Sequence, residues 1–151
     1  MTKFLKTSQN WDKYFINLAI QVSTRATCPR KSVGCVIVKD KRIVSTGYNG
    51  SLPQQDHCAD VGCAVYSGHC VRTIHAETNA LLQAAKEGIT LKGSSLYCTA
   101  QPCWNCFKNL ISAGITSIYY LDDYEAKTNN LIAQYLVSNK NIIFKQLKLE
   151  E

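Results

Sequence analysis

Two short stretches constrain this chain more than anything else in it: His75-Ala76-Glu77 and Pro102-Cys103-Trp104-Asn105-Cys106. One imidazole and two thiolates are three zinc ligands, and three rather than four leave a coordination position for water. That is the ligand count of a catalytic zinc. The carboxylate of Glu77, two residues past the histidine, stays outside the ligand set and free to move protons. Cys103 and Cys106 are spaced to share one face of a helix, whereas His75 and Glu77 would not do so inside a regular helix. At the first turn of a helix the imidazole can turn to one side while the carboxylate lies beside the open position. Helix N-termini carry partial positive charge, which favours thiolate over thiol. Any fold for this chain must therefore bring two helix starts to one point.

Cys-x-x-Cys alone also marks redox sites, with His75 then a core histidine. The joint pattern His-x-Glu…Pro-Cys-x-x-Cys, each half opening a predicted helix, is instead the signature of zinc-dependent nucleobase deaminases. In that chemistry water attacks the amino-bearing ring carbon of cytosine, a carboxylate (here Glu77) shuttles protons, and ammonia leaves. Pro102 fixes the backbone before Cys103.

The rest of the chain supplies elements to carry these helices. Ser8–Ser23 is predicted as a helix with Trp11, Phe15, Leu18 and Val22 on its apolar face. Val33–Lys39, apolar throughout, reads as a central strand, and Asp40-Lys41 turns it into a second, Arg42–Tyr48. Ser51–Ile74 shows neither helical nor strand period, a length that a compact domain tolerates when function or a metal holds it. A helix opening at His75 presents Ala76, Ala80, Ala84 and Ala85 to a sheet and stops at Gly88. A strand at Ser95–Ala100, a helix from Cys103 to Gly114, a strand at Ile115–Leu121, a helix at Glu125–Ser138 (Leu131, Tyr135 and Leu136 inward) and a strand at Asn141–Leu149 follow. Strand–helix–strand–helix–strand implies parallel pairing with right-handed crossovers and helices on both faces. The fold class is α/β, with residues 1–151 as one domain.

Composition narrows the setting. Hydrophobic residues at 46% and charged ones at 19% describe an ordinary globular protein. No apolar run approaches the roughly 18 residues of a membrane span, and no signal-like segment follows Met1–Lys6, so a cytoplasmic location is expected. In such a reducing compartment the eight cysteines read as metal ligands or buried thiols. The net charge of +6 favours anions without naming one.

Beyond the zinc motif the chain resembles the deoxycytidylate (dCMP) deaminase family. The resemblance lies in Ala26-Thr27-Cys28-Pro29-Arg30, Val33-Gly34, Gly47-Tyr48-Asn49-Gly50, Gly68-His69-Cys70-Val71-Arg72-Thr73, His75-Ala76-Glu77-Thr78-Asn79-Ala80, Pro102-Cys103-x-x-Cys106 and Ala113-Gly114-Ile115 with Tyr124. It implies a three-layer α-β-α cytidine deaminase-like fold with a five-stranded mixed sheet, a Zn2+ cofactor, dCMP as substrate and a homohexamer. It further implies nucleotide contacts from Asn49, Ala76 and Tyr124, and Arg30 is the candidate for the phosphate because a guanidinium fork suits one. Nucleic acid is not an expected partner, since no basic groove interleaved with aromatic residues is visible. One departure concerns regulation. Members that respond to deoxynucleoside triphosphates often carry a glycine shortly after the proline following Gly-Tyr-Asn-Gly, and here Pro53 precedes Gln54-Gln55. That argues against feedback by dCTP and dTTP.

Four further cysteines and a histidine suggest a second, structural zinc: Cys28, Cys58 and Cys63, with either Cys70 or His69 as the fourth ligand. Their neighbours (Asp56, His57, Asp60, Gly62, Gly68) offer little apolar cover, unlike those of Cys35 and Cys98, which read as buried strand thiols. Two other functions fit parts of the pattern. A tRNA adenosine deaminase shares the zinc motif, but Phe107-Lys108-Asn109-Leu110 replaces its alanine- and glycine-rich continuation. A non-catalytic zinc interaction module would have no use for Glu77.

Overall fold

The computed structural model describes residues 10–28, 31–66, 69–123 and 129–149, with His69 and Cys70 described by their backbone alone. The first helix, α1, spans Trp11–Ser23 and is capped by Asn10, whose side-chain oxygen accepts from the Lys13 amide at 2.7 Å. Positions 8 and 9 of the expected helix lie outside the described residues. Its buried face is Phe15, Ile16 and Ala19, with the expected Leu18 and Val22 packed beside them, whereas Trp11 is 49% exposed. The reason is a close approach. A Cβ at Gly34 would overlap the backbone of Ala19 and Ser23, so small residues, rather than the large indole, meet the sheet.

The strands β1 (Gly34–Lys39) and β2 (Arg42–Tyr48) form the expected hairpin, turned by Asp40 and Lys41 at φ 52° and 62°. Four short pieces then occupy the stretch read as irregular. They are β3 (Gly50–Ser51), the single turn α2 (Cys58–Val61), β4 (Val65–Tyr66) and β5 (His69–Cys70), before β6 (Thr73–Ile74). β3 pairs with β6 and β4 with β5, both antiparallel. Two-residue strands are too short for an alternation to register, which is why the sequence reads as loop. Gln54 stands at φ +65°, a backbone conformation that glycine would adopt at less cost.

The remaining elements are α3 (Ala76–Lys86), β7 (Ser95–Ala100), α4 (Trp104–Ser112), β8 (Ser117–Asp122), α5 (Asn129–Ser138) and β9 (Ile143–Gln146). The main sheet runs β2-β1-β7-β8-β9. β1 is antiparallel to both neighbours, whereas β7, β8 and β9 are parallel, giving the expected five-stranded mixed sheet. Because the parallel strands follow one another in a single direction, right-handed crossovers put α4 and α5 on the same face. That face, with α3, holds the larger core: Cys35, Ile37, Ala80, Leu96, Cys98, Phe107, Leu110, Ile118 and Ile132. The opposite strand faces (Val36, Val38, Tyr97) pack on Phe15, Ile16 and Ala19 of α1. Two inward residues differ from expectation. Ala85 of α3 is exposed while Ala76, Ala80 and Ala84 are buried, and in α5 Ile132 is buried where Leu131 was expected. Residues 125–128 of the expected last helix are not among those described.

Candidate metal and active site

Two strands deliver the site, one from the main sheet and one from the short β3–β6 pair. β7 leads through Gln101 and Pro102, both buried, into Cys103, the N-cap of α4. β6 leads likewise into His75, the N-cap of α3. Both residues have extended backbone (ψ 148° and 167°) and neither side chain caps its own helix, so imidazole and thiol are free to face each other. His75 thereby stands outside the helical turn, which removes the objection that residues two apart cannot share a side. The imidazole Nδ1 lies 3.8 Å from the sulfur of Cys103 and 3.4 Å from that of Cys106.

These spacings fit zinc. Bonds of about 2.0–2.3 Å to nitrogen and sulfur in tetrahedral directions put ligand atoms about 3.3–3.8 Å apart. All three donor atoms lie within 4.8 Å of one another, with His75 exposed, Cys103 half-buried and Cys106 buried, so the group is open on one side. The protons are already arranged for a cation. A hydrogen bond from Cys106, joined by one to His75, holds the Cys103 thiol down to about 4. The same Cys103 pushes Cys106 upward and raises the imidazole.

Glu77 lies in the first turn of α3 and is 5% exposed. Burial pushes its carboxyl up to about 7, the range in which a group both accepts and returns protons at neutral pH. Behind it the backbone is pinned from three directions. The Cys35 thiol donates to the Ala76 carbonyl at 3.3 Å, and the Ser45 hydroxyl to that of Ala80 at 2.7 Å. Asn79 donates through its side-chain amide to the Tyr48 carbonyl at 2.7 Å and reaches that of Ile74 at 3.5 Å. Asn79 escapes reasoning from the motif. Its one sequence signal is a poor helix former early in an alanine-rich helix.

Of the expected nucleotide contacts, Arg30 and Tyr124 lie outside the described residues, and Ala76 is buried at the start of α3. Asn49 is buried too, and its amide is engaged. The oxygen accepts from the Val33 amide at 2.8 Å and the nitrogen donates to the Lys31 carbonyl at 2.7 Å. Its backbone carbonyl accepts from Thr27 at 3.1 Å, so Asn49 is bonded to Thr27 on one side of positions 29 and 30 and to Lys31 and Val33 on the other.

A second group of donors lies apart from the first. The sulfurs of Cys28, Cys58 and Cys63 are within 4.8 Å of one another. The Ala59 amide donates to the Thr27 carbonyl at 3.2 Å, drawing α2 against Cys28, and Arg72 Nε donates to the Gly62 carbonyl at 3.1 Å. The side chains of His69 and Cys70, the expected fourth ligands, are outside what is described; their backbone pairs with Tyr66 and Val65. Cys35 and Cys98 face each other across β1 and β7, wholly buried, as strand thiols.

Residues 9–122 match the family model described as the cytidine and deoxycytidylate deaminase zinc-binding region. The chain is 44% identical over 142 residues to ComE operon protein 2 of Bacillus subtilis, covering 94% of this chain and 74% of that one. It is 36% identical over 122 residues to the deoxycytidylate deaminase of Mycobacterium phage D29, covering 74% of this chain and 94% of the relative. Among solved structures it resembles the dCMP deaminase of cyanophage S-TIM5 in complex with dCMP and dUMP. That match has a TM-score of 0.78 and 27% identity, over 93% of this chain and 99% of the other.

Proposed function

The chain belongs to the cytidine and deoxycytidylate deaminase family, and we propose that it hydrolyses dCMP to dUMP and ammonia at the His75–Cys103–Cys106 centre. The observation that carries this reading is the meeting of three metal donors with one buried carboxylate at two helix starts. Zinc held by these donors supplies Lewis acidity and makes a nucleophilic water available near neutral pH. Glu77 accepts one proton from the attacking water and hands it to the ring nitrogen. It then takes the remaining proton of the hydroxyl now on the ring carbon and gives it to the amine, so that the carbonyl forms as the C–N bond breaks and ammonia leaves. The buried wall behind it, Cys35, Ala76 and Ala80, holds the carboxylate still during these transfers.

The phosphate on the substrate is assigned from relatives and a structural neighbour whose names specify deoxycytidylate. In this reading Arg30 meets the phosphate, and Tyr124 and Ala76 contact the nucleotide. Asn49 contacts the nucleotide as well, while its side-chain amide also bonds the backbone of Lys31 and Val33. One deaminase domain spans the chain, works as a cytoplasmic homohexamer and takes no nucleic acid. No helix among the described residues is long and apolar enough to cross a membrane. The deciding experiment compares specificity constants for dCMP and deoxycytidine, with release of ammonia as the readout. A strong preference for dCMP is expected; equal turnover of the two would remove the phosphate site. Light scattering tests the hexamer, which a monomer at micromolar concentration would overturn.

Cys28, Cys58 and Cys63 are proposed to hold a second zinc with His69 or Cys70, closing the segment before His75. Four protein ligands leave no open position, so this metal orders the loop and takes no part in the chemistry. Elemental analysis should give two zincs per wild-type chain and one in Cys58→Ser. One zinc in wild-type protein purified without chelator would reduce these cysteines to packing.

A further inference from the structure

Thr78 is the third residue of α3, next to Glu77, and its hydroxyl lies 3.6 Å from the sulfur of Cys106 across the gap to α4. Threonine hydroxyls inside helices commonly turn back on the carbonyl one turn earlier. This one faces a ligand atom on the neighbouring helix instead. Cys106 is 3% exposed and the most enclosed of the three donors, so water cannot solvate its sulfur. A buried anion without hydrogen bonds is costly, and a thiolate can only accept, so the hydroxyl must be the donor whenever Cys106 is ionised.

We infer that Thr78 is a positioning residue of the metal centre, donating to the Cys106 sulfur, fixing that ligand's direction and stabilising its anionic form. The inference rests on the reading of His75, Cys103 and Cys106 as a zinc site. It also assigns two adjacent residues of α3 to different tasks: Glu77 faces the substrate, and Thr78 faces the ligand set from behind. Partners of metal ligands that orient them in this way typically contribute 10–100-fold to metal affinity.

The test uses the full chain as Thr78→Val, which keeps the shape and deletes the donor, and Thr78→Ser, which keeps the donor. Zinc affinity is read by competition with a chromophoric chelator at neutral pH. The bonding of the sulfur is read from the sulfur-to-metal charge-transfer bands of the cobalt(II)-loaded protein. Thr78→Val is expected to hold zinc at least roughly tenfold less tightly and to shift the charge-transfer bands, while Thr78→Ser matches wild type on both. The Cys28–Cys58–Cys63 group is untouched by either change, so its contribution cancels in the difference spectrum. Should valine lower the melting temperature of the metal-free protein, Thr78→Ala replaces it with the same expected loss. Wild-type affinity and an unshifted spectrum in the donor-free variant would overturn the inference. A wild-type chain that binds neither zinc nor cobalt would overturn the underlying site assignment instead.

Discussion

Replacing Glu77 with glutamine is expected to leave a folded, zinc-loaded protein whose turnover of dCMP has fallen by on the order of 10²–10⁴-fold or more. The amide keeps nearly the shape of the carboxylate, so the buried pocket at the start of α3 stays filled, and no metal donor is removed. What disappears is the one group there that can take a proton and give it back. Burial is the largest of the influences that together raise this carboxyl to about 7. A dication in the neighbouring site pulls in the opposite direction, because a nearby positive charge favours the ionised form. The two influences keep the group able to act as base and then acid across the neutral range. His75→Ala should behave differently, losing metal together with activity. The two variants separate proton transfer from metal binding when zinc content and ammonia release are measured on the same preparations. Full activity in a zinc-loaded Glu77→Gln protein would sink the mechanism.

The chemistry of the site was legible because its residues are rare types at a specific spacing. His75, Glu77, Cys103 and Cys106 need only two helix starts, and the apolar strand that delivers Cys103 and the glycines that end both helices are equally plain in the sequence. The scaffold behind them was less so, for a physical reason. Gly47, Ala76 and Ala80 act through backbone atoms, and Asn79 through an amide that bonds backbone carbonyls; these positions depend on how closely α3 approaches β2, and no residue type announces that distance. The same blind spot explains α1. Periodicity favours Trp11 as an inward residue, yet the indole stacks on Phe15 at 5.6 Å and lies beneath the Lys41 ammonium, at the edge of the sheet. The line of closest contact runs instead through Ala19 and Gly34, where nothing large can fit. In α5 Ile132 is buried in place of Leu131, while Tyr135 and Leu136 pack against the core as expected, so the buried face is displaced by only part of one residue's turn. The short strands between Gly50 and Ile74 were hidden by length alone, although the cysteines among them marked the segment as one that something holds together.

The approach of α3 to β2 leads to the second large expected effect, that of Gly47→Ala. A Cβ at position 47 would run into the Ala76 carbonyl oxygen and come within 2.6 Å of the Ala80 nitrogen and 3.1 Å of its Cα. All three are backbone atoms of α3, so no rotamer change relieves the overlap and the helix itself must move. It is not free to do so cheaply, since the Cys35 thiol holds the Ala76 carbonyl, Ser45 holds that of Ala80, and Asn79 holds the end of β2. Overpacking in a core ordinarily costs about 1–3 kcal/mol, and backbone against backbone belongs at or above the upper end. The displaced segment is the one that carries His75, Ala76 and Glu77, so a shift of even a few tenths of an ångström moves a metal donor and the proton carrier together. Gly47→Ala is therefore expected to lower the melting temperature, weaken zinc retention and reduce turnover in a single substitution that removes no donor and no proton carrier. Gly88→Ala supplies the comparison. That glycine stands at φ +68°, unlike Gly47, and a Cβ there meets nothing within 4 Å. Its cost should stay near 1 kcal/mol, from backbone conformation alone, with zinc content and turnover unchanged. If Gly47→Ala melted and turned over dCMP like wild type, α3 could not be packed against β2 as closely as these contacts require, and the carboxylate would owe its position to something other than the strand behind it.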